Sequence, residues 1–172
     1  RPTIGVLTNI GGAHQENFSS LQDKCLEKLD LFRDCEIIIY NGDDKEVCES
    51  VDRSLQSARE IAWSRYKAEK PLFISAVDTT ERSTTISYSY LGMPGQYTIP
   101  FTDDASVENS IHCLAVCLYL RLSPEKISER MQHLEPVAMR LEVKEGKNGC
   151  TLINDSYNSD VASLDIALDF MA

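Results

Sequence analysis

Residues 35–40, Cys-Glu-Ile-Ile-Ile-Tyr, limit the fold more than any other stretch of this chain. Six residues are too few for a stable helix, and three consecutive β-branched side chains favour an extended backbone. A strand that is apolar on both faces needs cover on both, so 35–40 reads as a central strand, and Asn41-Gly42-Asp43-Asp44 as the turn that ends it. Thr3 to Leu7 (TIGVL) and Pro71 to Val77 (PLFISAV) are of the same short, apolar type. Between these runs, apolar residues recur at helical spacing. The first stripe is Phe18, Leu21, Cys25, Leu29 and Phe32, with Ser19-Ser20-Leu21-Gln22 as its start signal. The second is Val47, Val51, Leu55, Ala58 and Ala62, which predicts one long helix. Strands joined by helices predict an α/β fold with a mostly parallel sheet and flanking helices.

Beyond residue 80 the pattern changes. Thr84 to Tyr90 and Gln96 to Phe101 alternate and predict an antiparallel hairpin turning at Gly92-Met93-Pro94-Gly95. Two helices follow, one over Val107 to Leu120 and one opening on Ser123 as N-cap with Pro124 as its first residue. Leu141 to Lys144 and Cys150 to Ile153 form a second predicted hairpin, and a last helix begins near Asp160. Pro136 divides the chain into 1–135 and 136–172. Arg1 in place of an initiator methionine, together with a helix that stops at Ala172, suggests a piece of a longer protein.

Charge narrows the partners. With 27 acidic against 17 basic residues the net charge is −10. That argues against nucleic acid, whose phosphates call for clustered Lys and Arg. No apolar run approaches a membrane span, and the expected location is cytoplasmic, with no membrane partner. Of six cysteines only Cys113 and Cys117 are close, at i, i+4 in an apolar helix, which predicts buried thiols. A zinc site would need a second pair that His112 alone does not supply.

The chemistry concentrates in Thr8 to Phe18, "TNIGGAHQENF", a glycine-rich elbow at the end of the first strand, where α/β sheets collect ligands. Alone, His14 reads as a hydrogen-bonded loop residue, Lys28 as a solvated helix lysine, and Asn109 as a polar residue at a helix start. "TNIGGAH", a lysine fourteen residues on, "NGDD" and "AMRLEV…INDSYNSD" nevertheless occur in one order. This set resembles the Mur ligase family, and most strongly the branch that joins D-alanyl-D-alanine to a UDP-muramoyl peptide.

The resemblance implies that 1–135 is the C-terminal part of a central ATP-binding domain and that 136–172 starts a C-terminal ligase domain, the remaining ligase domains lying upstream and downstream. It also implies ATP and Mg2+ as cofactors. A carboxylate is phosphorylated to an acyl phosphate, and the amine then displaces phosphate. His14 matches a magnesium-holding histidine. Lys28 matches a lysine that carbon dioxide converts to a carbamate, an anionic metal ligand, with Asp30 as the acid that orients it. Asn109 stands at the adenine side, and Arg140 and Asp155 near the nucleotide's phosphates and ribose, with Tyr157 and Asn158 in the same run. No G-x-x-x-x-G-K-[ST] phosphate loop occurs, so the isolated chain is expected to be inactive. Two other readings stay open: an inert α/β interaction module, and a ligase resembling folylpolyglutamate synthase.

Overall fold

The isoleucine run lies inside a six-stranded sheet as β2 (Ile37–Asn41), between β1 (Ile4–Leu7) and β3 (Arg59–Ser64). The computed structural model describes residues 2–11, 18–55, 58–135, 142–156, 161–169 and 171, with no side-chain placement for 161–163. His14, Arg140, Tyr157 and Asn158, and the boundary residue Pro136, lie outside the described residues. The chain divides into two compact units, Arg1–Leu134 and Glu135–Ala172.

In the first unit α1 (Leu21–Leu29) and α2 (Lys45–Ser54) connect β1 to β2 and β2 to β3, and all three strands are parallel. β4 (Leu72–Thr79) pairs parallel with β3, then antiparallel with β5 (Thr84–Tyr90), which pairs antiparallel with β6 (Met93–Ile99). α3 (Asp104–Tyr119) and α4 (Pro124–Met131) complete the unit. Side chains alternate across the sheet as the strand period requires. Ile37, Ile39, Ile61 and Trp63 pack with α3 and α4 on one face, whereas Ile38, Tyr40 and Ala62 pack with α1 and α2 on the other. The α1–α2 cluster draws nothing from β4, β5 or β6, whose outer face is polar, with Thr85 bonded to Thr98 and Gln96 to Ser87. Hence β2 is apolar throughout, while β5 alternates.

Three features differ from the sequence reading. The helix predicted to run through Ala62 ends at Ser54, and Arg59–Ser64 is a strand. Ala58 and Ala62 do pack on the α1–α2 side of the core, so they extend the stripe's face while belonging to another element. The hairpin turns at Leu91 and Gly92, with φ of 50° and 84°, and Met93 already pairs with Tyr90. Two consecutive left-handed residues match the twist of the flanking strands, and glycine takes the second without a Cβ penalty. Pro94 is tolerated because β6 pairs on one side only. Finally, Cys113 is exposed and Cys117 half-buried, because α3 turns Val107, Ile111, Leu114 and Ala115 toward the sheet.

The helix starts follow the sequence closely. Ser20 caps α1 by accepting from Asp23 N at 3.0 Å, one residue beyond the predicted pair, and Ser123 caps α4 with Pro124 following. In the second unit β7 (Glu142–Glu145) and β8 (Thr151–Asn154) form the predicted hairpin and α5 spans Val161–Asp169. Among the described residues no helix is long and apolar enough to cross a membrane.

Candidate active site at the carboxyl edge of the sheet

Leu7, Tyr40 and Ala62 stand side by side in register, so Thr8, Asn41 and Trp63 leave three parallel strands at one level. Beyond them, the NGDD turn ties the strand ends together. Asp43 accepts from Ser64 Oγ and, at 2.7 Å, from Arg65 N. Ser64 Oγ in turn accepts from Tyr66 N at 3.0 Å and Lys67 N at 2.8 Å. Asp44 is the N-cap of α2, accepting from Val47 N at 3.0 Å. Gly42 N donates to Trp63 O at 2.7 Å, and a Cβ on Gly42 would lie 3.1 Å from that oxygen and from Ala62 Cβ. A larger residue would need these neighbours to give by a few tenths of an ångström. Both aspartates therefore serve the scaffold.

Two buried side chains hold the base of the elbow. His112, 3% exposed, reaches from α3 to Thr8 O with Nε2 at 3.2 Å, while its Nδ1 accepts from Trp63 Nε1 at 3.3 Å. The two rings meet edge to face, 5.4 Å between centroids. Donating through one nitrogen and accepting through the other requires the neutral imidazole. Lys24, 5% exposed, donates from Nζ to Gly11 O at 2.6 Å and lies 5.9 Å from the centroid of the Phe18 ring. Neither contact is legible from motif spacing; the available signal was a basic residue beside an apolar stripe.

Burial lowers the His112 pKa from 6.5 to about 4, the bond to Thr8 O opposing it. The unfolded chain therefore binds the extra proton between those values, and stability that is complete above 6.5 is lost as pH falls toward 4. At about 1.36 kcal/mol per unit the loss is on the order of 3 kcal/mol. Urea unfolding at pH 7.5 and pH 5 should show roughly 2 kcal/mol of it, with His112→Gln giving the shallower dependence; equal slopes would show that His112 does not titrate in this range.

The sequence-predicted residues are distributed as follows. Lys28 is exposed in the last turn of α1, one turn past Lys24, the lysine that reaches the elbow at Gly11 O among the described residues. Asp30 pairs with Arg33 at 2.7 Å. Asn109 is exposed on α3 at i, i+3 from His112, beside Glu108, whose carboxyl is pushed up by burial against the opposing charge of Arg65. Asp155 is half-buried just after β8, in the second unit.

The sequence model of the Mur ligase middle domain matches residues 1–117. The chain belongs to this family. A UDP-N-acetylmuramoyl-tripeptide–D-alanyl-D-alanine ligase of Bacillus subtilis (strain 168) is 24% identical over 170 residues, covering 97% of this chain and 35% of the relative. MurF from Acinetobacter baumannii superposes with a TM-score of 0.80 at 20% identity, over 95% of this chain and 36% of that one. The MurF ligase of Thermotoga maritima in complex with ADP gives 0.76 at 17% identity, over 98% and 38%. The chain thus shares the fold of these Mur ligases and spans about a third of their length.

Among the described residues no group of three His, Cys, Asp or Glu side chains could hold a metal ion. Mg2+ is commonly held by one or two protein ligands, with waters and substrate phosphates completing its shell.

Proposed function

We propose that this chain is the core of an ATP-dependent amide ligase of peptidoglycan-precursor synthesis, one that adds D-alanyl-D-alanine to a UDP-muramoyl peptide. The observation that carries this reading is the Mur ligase middle-domain match over residues 1–117, with the TNIGG elbow leaving β1 at the level where the NGDD turn joins β2 to β3. Ligands of open α/β sheets bind beyond such carboxyl ends.

A carboxylate is a poor electrophile, and phosphorylation converts it to an acyl phosphate that an amine can attack, expelling phosphate. Mg2+, when bound, screens the negative charge gathered by the nucleotide and the carboxylate. The chain's own residues prepare the place. His112 and Lys24 fix the elbow's base, and Asp43 and Ser64 lock the turn after β3. His14 and the Lys28 carbamate would hold the metal. Asn109 would meet the adenine, and Arg140, Asp155, Tyr157 and Asn158 the phosphate and ribose side. The missing domains of the ligase would supply the phosphate loop and the amine site.

The test is ligation by the intact protein: ATP-dependent release of phosphate that requires both a UDP-muramoyl tripeptide and D-alanyl-D-alanine. Release with a folate and glutamate instead would favour the folylpolyglutamate-synthase-like reading, and none with either pair would favour an inert interaction module. The 172-residue chain itself, which has no phosphate-loop motif, should bind ATP very weakly and hydrolyse none. Micromolar affinity by calorimetric titration would place the nucleotide site elsewhere.

A further inference from the structure

Arg65 is the first residue beyond β3, and the 2.7 Å bond from its N–H to Asp43 fixes its backbone at the carboxyl edge of the sheet. Lying two residues past Trp63, it falls on the α3 face by the strand period, and its charge acts there on Glu108 of α3 and Tyr97 of β6. The guanidinium has an edge that the fold does not use. Its Nε and Nη2 are buried and meet no hydrogen-bond partner, the only such side-chain atoms among the described residues. A buried donor without an acceptor costs the desolvation of the group, more so when it is charged, and an orphan of this kind points to a water, an ion or a functional role. These two nitrogens share one edge of the planar guanidinium, the parallel N–H pair that grips a carboxylate or phosphate by two oxygens at once. Glu108 is near enough to feel the charge, yet it does not close on that edge. Lys67, by contrast, donates its ammonium to Gly42 O at 2.8 Å.

We propose that Arg65 is an oxyanion-binding residue at the carboxyl edge, its Nε–Nη2 edge taking two oxygens of a phosphate or carboxylate on the ligand. The side chain as a whole is half-buried, so rotation about its last torsions brings that edge to solvent without disturbing the strand. Asp44 and Asp104 also act on Glu108; acidic groups thus crowd this corner, and an anion bound there depends on Arg65. The proposal rests on the ligase reading above for the identity of the ligand, since nucleotide and muramoyl peptide both carry such oxyanions.

The experiment titrates the intact protein by calorimetry with three probes: a non-hydrolysable ATP analogue with Mg2+, a UDP-muramoyl tripeptide, and inorganic pyrophosphate. Arg65→Lys keeps the charge and loses the fork. It should weaken at least one of the first two by about tenfold or more, and the probe that loses affinity is the one whose oxyanion Arg65 holds. Arg65→Met, unbranched and suited to burial, should lose more, while its ligand-free unfolding midpoint equals or exceeds that of wild type, because it deletes two orphaned donors. A merely structural arginine would lower that midpoint; if the methionine variant does not fold, the lysine variant carries the measurement. Wild-type affinity for all three probes in Arg65→Lys overturns the proposal, as does a loss that only tracks a lowered midpoint. If wild type binds neither nucleotide nor peptide but binds pyrophosphate in an Arg65-dependent way, the oxyanion site stands and the ligase reading falls. Binding of none of the three by wild type overturns both.

Discussion

On the ligase reading proposed above, turnover of the intact protein is expected to fall by about 10² to 10³ when Lys28 is replaced by alanine, the usual cost of removing one charge-stabilising group at a transferring phosphoryl. Lys28 lies in the last turn of α1 and is exposed. A cation there complements the negative end of the helix dipole. A carbamate reverses that charge and so depends on a metal ion to hold it. Short-chain carboxylates added to Lys28→Ala should restore part of the rate, because they bring back two oxygens and a negative charge. Lys45 is the control: its side chain is 82% exposed and 3.8 Å from Glu49, and its replacement by alanine should stay within about 0.5 kcal/mol in stability with activity intact. If Lys28→Ala behaves like Lys45→Ala, Lys28 is a solvated helix lysine.

The largest loss of stability should come from Trp63→Ala, at about 3 to 5 kcal/mol. Trp63 is fully buried between the sheet and α3. Its removal opens a cavity and also leaves His112 Nδ1 without its donor, an unmet buried acceptor that costs about 1 to 3 kcal/mol. Trp63→Phe separates the two effects, since it keeps most of the ring volume and loses only the indole N–H; it should cost roughly 1 to 3 kcal/mol. Because Trp63 is the sole tryptophan, guanidinium unfolding is best followed by circular dichroism. A Trp63→Ala cost below about 1 kcal/mol would mean that the site collapses around the gap.

Much of the fold was legible because local signals agreed with the global arrangement. β2, the caps of α1 and α4, and both hairpins announced themselves through β-branched runs, Ser and Pro at helix starts, and alternation. β3 did not, since Ala62 satisfies two periods at once. It lies i+4 from Ala58 in the apparent helical stripe, and it is also the inward residue between Ile61 and Trp63 on a strand covered on both faces. A short strand inside a parallel sheet and a buried helix tail look alike in apolar pattern alone. The turn was misplaced for a different reason. The Gly-Met-Pro-Gly run suggested a four-residue loop, but the left-handed pair is Leu91–Gly92, and leucine gives no warning of a positive φ.

The candidate site was legible as a set of motifs and illegible as a scaffold. The family resemblance singled out His14 and Lys28, but only the structure places Lys24 against Gly11 and His112 against Thr8. Both are ionisable residues at positions where an apolar pattern predicts none, and their partners are backbone oxygens, which leave no trace in a motif. Asp43 and Asp44 show the converse. The sequence marks them as a turn, and the structure shows what that turn does: one binds the turn after β3 and the other caps α2.

The offset between β3 and β4 has a consequence for traffic. Leu72 pairs with Trp63 and Phe73 with Ser64, so β4 begins where β3 finishes and runs on to Thr79 past the carboxyl edge. At about 3.3 Å per residue, that overrun, with β5 and β6 zipped beside it, raises a parapet on the order of 20 Å high along one flank of the edge. A solute drifting toward the strand ends from that flank meets pleated backbone, whereas the Thr8 flank has no such rampart among the described residues. Among the described residues the edge is thus walled on its β4 flank, and a solute reaching the strand ends from that side must round the overrun.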